Sequence, residues 1–119
     1  MVPAPFFDIS VLDTLLEGDR TMMRRFASRF IDTARSALAE IDSALAAGDL
    51  PQLRHLGHRT RSGALTVGAT AMAGLCKQLE LLPPDAPDSH GAARALVHEL
   101  HAALAATAHS MHEAGLTDS

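Results

Sequence analysis

A single cysteine, Cys76, stands in the chain, so no internal disulfide can form and a reducing interior is the natural compartment. Tryptophan and tyrosine are absent and aromatic residues total 3%, which leaves a base-stacking nucleic-acid binder little to stack with. Positive charge is also scarce. Ten Lys and Arg against fourteen Asp and Glu give a formal net charge of -4, which argues against nucleic acid or an anionic membrane surface as partner. No apolar run approaches the ~20 residues that a bilayer crossing requires. The N-terminal MVPAPFFD lacks the basic-then-apolar layout of a secretory signal. A cytoplasmic protein is expected, although a segment of a membrane-anchored sensor is compatible with the same absences.

What the chain does have is Ala and Leu, within a hydrophobic share of 47% over 119 residues. That length suits one domain, 1–119, with a single core. The scarcity of β-branched runs favours helix over strand. Gly18-Asp19, Gly48-Asp49, Gly68 and the stretch Pro83-Pro84-Asp85-Ala86-Pro87-Asp88 divide the chain into five helical segments.

The first, near 8–17, puts Ile9, Leu12, Leu15 and Leu16 on one side. The second, near 19–47, repeats Met23, Phe26, Phe30, Ala34, Ala37, Ile41 and Leu45 at helical steps. Asp49 is placed to cap the third, near 50–67, in which Leu50, Leu53, Gly57, Thr60, Ala64 and Val67 are in phase. The fourth, near 69–82, offers Met72, Leu75, Cys76, Leu79 and Leu82. Asp88 or Ser89 caps the last, with Ala93, Leu96, Val97, Leu100, Leu104, Ala108 and Met111 inward. The expected fold is all-α: an up-down-up-down antiparallel four-helix bundle with the short first helix across one end.

The informative segment is 53–65, LRHLGHRTRSGAL. The apolar and small positions of this helix average to one direction, and His58 points roughly 140° away from it. Arg54 and Arg61 flank it at four- and three-residue offsets, and Ser62, one turn on, keeps the surface beside the ring low. Leu65 is stranded on the exposed side. Neutral imidazole near pH 7 is nucleophilic, and guanidinium stabilises phosphoryl charge. On these features alone an ordinary solvated helix face is the commoner meaning of such a histidine.

A longer register carries more. Counted from His58, Arg61 stands at +3, Ser62-Gly63 at +4 and +5, and Gly68-Ala69 at +10 and +11. Cys76 and Leu79-Glu80 follow on the next helix, and Ala-Gly-Asp-Leu at 47–50 precedes the histidine. In this register nearly the whole chain resembles the histidine-containing phosphotransfer (HPt) family, whose motif sets Lys or Arg, a small pair and Gly-Ala at those offsets. The register rejects His55, from which the Gly-Ala pair falls three places late. Two departures stand out: Ser62-Gly63 inverts the usual Gly-Ser, and Arg61 replaces the commoner Lys. Both small residues are kept, so access to His58 survives, while the altered backing at Ser62 bears on rate and partner choice.

The resemblance implies that His58 accepts a phosphoryl group from a receiver-domain aspartate through Nε2 and passes it to a second receiver. Glu80 would accept a hydrogen bond from Nδ1–H, and Arg61 would assist the transfer. Arg54, Ser62, Gly63 and Leu65 would form the binding surface, with help from the first helix and the start of the second. The chain is then a monomeric phosphocarrier, with no kinase activity and no cofactor of its own. Mg²⁺ belongs to the receiver, since no acidic cluster is present here for it. The receivers include that of a hybrid sensor histidine kinase.

Rival readings are a non-catalytic helical adaptor of the same shape and the phosphoacceptor domain of a histidine kinase. Retention of His58 with Arg61 disfavours the first. The second family places an acidic residue directly after its histidine, where Arg59 stands, and no Gly-rich ATP-binding segment follows. His98 with His101, and His109 with His112, have metal-ligand spacing, but no further ligands accompany them, so no metal is expected.

Overall fold

The computed structural model describes residues 6–118, all-helical in their regular structure. Residues 1–5, within the stretch read above for a secretory layout, lie outside the described residues, as does 119. Aspartates open the first three helices. Asp8 accepts from the Ser10 amide at 3.0 Å before α1 (Ile9–Leu15), and Asp19 from the Met22 amide at 3.2 Å before α2 (Arg20–Ala46). Asp49 accepts from the Gln52 amide at 3.1 Å before α3 (Leu50–Val67), whose first turn holds Pro51. Each bond satisfies an N–H that the helix cannot.

α4 (Thr70–Glu80) and α5 (Ser89–Glu113) start without a side-chain cap. The cap expected from Asp88 or Ser89 therefore does not form. Ser89 is buried as the first residue of α5, and its hydroxyl donates back to the Pro83 carbonyl, bracing the proline-rich turn instead.

The four longer helices pack in a ring in chain order: α2 on α3, α3 on α4, α4 on α5, and α5 back on α2. Short connections reverse the chain each time, which gives the antiparallel bundle. Met23, Ile41, Leu53, Leu56, Met72, Cys76, Leu79, Leu100 and Met111 are fully buried in one core. Several positions depart from the expected stripes, Ile31 and Leu38 of α2 among them, both buried. Leu56 is buried although it stands off the α3 stripe, because α3 packs against α1, α2 and α4 and so has a wide buried arc. Leu15 is 52% exposed rather than inward. Leu12, Ile9 and Leu16 set the inward direction of α1, and Leu15 lies roughly 90° from it by the helical period.

α1 is held at one end of the bundle, beside the α3–α4 turn. Gly68 ends α3 with φ +81°, and its carbonyl accepts from the Asp8 amide at 2.8 Å. A Cβ at 68 would stand 2.3 Å from the Asp8 carbonyl oxygen, so both backbone and space demand glycine. Ala69 is fully buried beside it. The Gly-Ala pair of the motif thus ties α1 to the helix that bears His58.

Candidate functional site: an imidazole backed by a carboxylate

The site begins with a missing side chain. Gly57, immediately before His58, faces α4, and a Cβ there would lie 2.8 Å from the Cys76 carbonyl oxygen and 3.2 Å from the Glu80 nitrogen. Glycine lets the α4 backbone come this close, which carries Glu80 to the base of the His58 ring. His58 Nδ1 stands 2.7 Å from Glu80 Oε1. A carboxylate only accepts, so in the neutral ring Nδ1 carries the proton and Nε2 keeps its lone pair. The His58 side chain is 63% exposed against 27% for Glu80. The ring meets solvent while its orienting partner is sheltered.

Two arginines converge on the same residue. Arg61, 30% exposed, places a guanidinium nitrogen 3.7 Å from Glu80 Oε2. Arg54 donates from Nε to the Glu80 main-chain carbonyl at 3.0 Å. Arg59 turns away and pairs with Glu40 on α2. Beneath them Cys76 is fully buried, and burial pushes its thiol from 9.0 up to about 11, with Arg61 pulling it partly back. It is a core thiol, as its inward position suggests.

His58, Glu80, Arg61 and Arg54 are therefore brought together, whereas the other expected residues lie along the neighbouring surface. Ser62 is exposed, and its carbonyl accepts from the Thr66 hydroxyl at 3.0 Å. Gly63 opens into a groove between α2 and α3 lined by Met22, Arg25, Phe26, Arg29, Phe30 and Thr66. Leu65, 56% exposed, lines a shallow depression with Leu15, Val11 and Thr66. Leu15 and Gly57 were not marked for these roles by sequence. The sequence pattern puts Leu15 on the same side as Ile9, Leu12 and Leu16, and Gly57 reads as one more small in-phase residue.

Three of the four spaced histidines of α5 find other partners. His101 Nε2 lies 2.8 Å from Asp42 on α2, His109 lies 3.7 Å from Glu113, and His112 Nδ1 donates to the Thr117 carbonyl at 3.0 Å. Among the described residues no group of three or more His, Cys, Asp or Glu is placed to hold a metal ion. No helix among them is long and apolar enough to cross a membrane.

A helical bundle that offers an exposed, carboxylate-oriented imidazole has the form of a phosphohistidine carrier. Residues 25–110 match the model of the family described as Hpt domain, and the chain belongs to that family. It is similar to multistep phosphorelay regulator 1 of Schizosaccharomyces pombe, with 31% identity over 77 residues. That match takes in 61% of this chain, which spans about a quarter (26%) of that relative's length. The fold is similar to the crystal structure of histidine-containing phosphotransfer protein B (HptB) from Pseudomonas aeruginosa PAO1. The TM-score is 0.77 and the identity 27%, covering 93% of this chain and 95% of that one.

Proposed function

We propose that His58 is the phosphoacceptor of a phosphorelay, taking a phosphoryl group from one receiver-domain aspartate and yielding it to another. The observation that carries this is the 2.7 Å contact from Glu80 to Nδ1 of a ring that is otherwise exposed. In the step itself the Nε2 lone pair forms a bond to phosphorus as the bond to the aspartyl oxygen breaks, and the aspartate leaves as carboxylate. The ring gains positive charge and keeps its Nδ1 proton, and the Glu80 carboxylate stabilises that charge. Return transfer runs the same bonds in reverse. Arg61 supplies positive charge beside the group in transit.

This chain then contributes a positioned nucleophile and a docking face, with no kinase activity of its own. The receiver contributes Mg²⁺ and the donor aspartate. The docking face runs along α3 past Leu65 and Leu15 and into the groove floored by Gly63, where Phe26 and Phe30 supply apolar surface and Arg25 and Arg29 charge. The working form is a monomer in the cytoplasm, and the receiver of a hybrid sensor kinase is a fitting donor.

The test incubates the chain with a phosphorylated receiver and, separately, with ATP alone. Acid-labile, base-stable label from the receiver and none from ATP is the expected result. Binding of the receiver without label would favour a non-catalytic adaptor.

A further inference from the structure

The end of α4 poses a problem that the sequence itself creates. A helix leaves its last carbonyls without intrahelical donors, and ordinarily the N–H groups three or four residues on can turn back to them. For Glu80 those positions are Pro83 and Pro84, and proline has no N–H. No backbone donor at either spacing can satisfy the Glu80 carbonyl. Arg54, one turn before His58 on α3, satisfies it from Nε at 3.0 Å, in a partly buried setting. The guanidinium also sits at the negative end of the α4 dipole.

The residue so fastened is the one whose side chain orients His58 at 2.7 Å, and Gly57 leaves the space for α4 to be there. We propose that Arg54 is a positioning residue for the reacting imidazole: it fastens the last turn of α4 at the Glu80 carbonyl, so that the Glu80 carboxylate meets Nδ1 and leaves Nε2 as the nucleophile. The flanking, phosphoryl-facing role expected of Arg54 from sequence is replaced by one exercised through Glu80. This rests on His58 being the phosphoacceptor.

The experiment compares the wild-type chain with Arg54→Met, Glu80→Ala and the double variant, each checked for helicity and thermal unfolding. ¹⁵N NMR of the histidine rings at about pH 8, where imidazole is neutral, reads the His58 tautomer without any phosphoryl donor. The wild type should show Nδ1–H, and Arg54→Met a mixed population approaching that of Glu80→Ala. Transfer from a phosphorylated receiver should slow about tenfold in Arg54→Met, the scale on which the partners that orient a metal-ligating imidazole act. In the Glu80→Ala background Arg54→Met should add almost nothing. An unchanged tautomer in Arg54→Met, or a full further loss of rate in the double variant, overturns the assignment and makes Arg54 a direct phosphoryl contact or a bystander. If Arg54→Met fails to fold, Arg54→Ala, which also removes the Nε donor, is read by the same outcomes. Failure of the wild type to accept phosphoryl would overturn the functional reading instead, while the tautomer comparison still decides whether Arg54 acts through Glu80.

Discussion

Glu80 is engaged at three of its oxygens, by His58 and Arg61 at the carboxylate and by Arg54 at the main chain. Reversing the charge at Arg61 would set a second carboxylate against it and against the incoming phosphoryl group. Arg61→Glu should slow transfer by about fivefold or more, corresponding to about 1 kcal/mol at a partly exposed site. Stopped-flow transfer rates at low salt check this, and an unaltered rate would remove Arg61 from the reacting centre. Cys76 gives a pH signature. Its folded-state thiol sits at about 11 against an ordinary 9.0, because burial disfavours the thiolate. The folded chain therefore holds that proton more tightly than the unfolded one. This contribution is complete below about pH 9 and fades as pH rises toward 11, by about 2–3 kcal/mol across the window. Urea unfolding of the wild type and Cys76→Ala at pH 8 and pH 10.5 should show the alkaline loss in the wild type alone. At this scale the exposure of His58 was legible from helical phase. The partner of Arg54 was not, because a main-chain acceptor on another helix leaves no side-chain signature, although Pro83-Pro84 marks the unsatisfied carbonyl.

Helix ends decide which residues meet. Asp49 caps as its sequence suggests, Asp19 does the same for α2, and Gly68 stops α3 in the left-handed conformation. Asp88 makes no cap bond, its backbone lying in the helical region (φ −88°, ψ −4°) rather than the extended one of an N-cap, and Ser89 turns its hydroxyl to the proline turn. Such a choice depends on where Pro83 folds back, which local pattern does not reveal. The closeness of α3 and α4 was equally hidden in Gly57, a residue that periodicity counts as core and geometry uses as clearance. Gly57→Ala should push the two helices apart, since a Cβ would stand 2.8 Å from the Cys76 carbonyl oxygen. Overpacking of this kind costs about 1–3 kcal/mol, and the His58–Glu80 contact should loosen with it. Thermal unfolding together with the His58 tautomer reads both effects. A stable variant with the wild-type tautomer would show that clearance at 57 does not position Glu80.

For the whole molecule, the bundle itself was plain in sequence, because four long amphipathic stripes with short connections allow few other packings. The surface that the bundle presents was only half visible. Helical phase puts Leu65 in solvent, where it is, but groups its neighbour Leu15 with the inward residues of α1, since a seven-residue helix gives too few turns to fix an inward direction. Together they form an apolar spot on the same stretch of surface as the α2–α3 groove. Leu65→Asp should weaken receiver binding by at least about tenfold, because a carboxylate desolvated in the complex costs more than 1.4 kcal/mol. Folding stability should hardly move. Receiver titration beside urea unfolding separates the two, and lost stability with unchanged affinity would return Leu65 to the core.

The most direct measurement maps the phosphoryl group on the chain after reaction with a phosphorylated receiver, by ³¹P and ¹⁵N NMR on the wild type and on His58→Gln. The expected result is one acid-labile phosphoryl group on Nε2 of His58, absent from the variant, whose stability stays within about 0.5 kcal/mol of the wild type. Label persisting on His58→Gln, or mapping to His55 or to Nδ1 of His58, would contradict it.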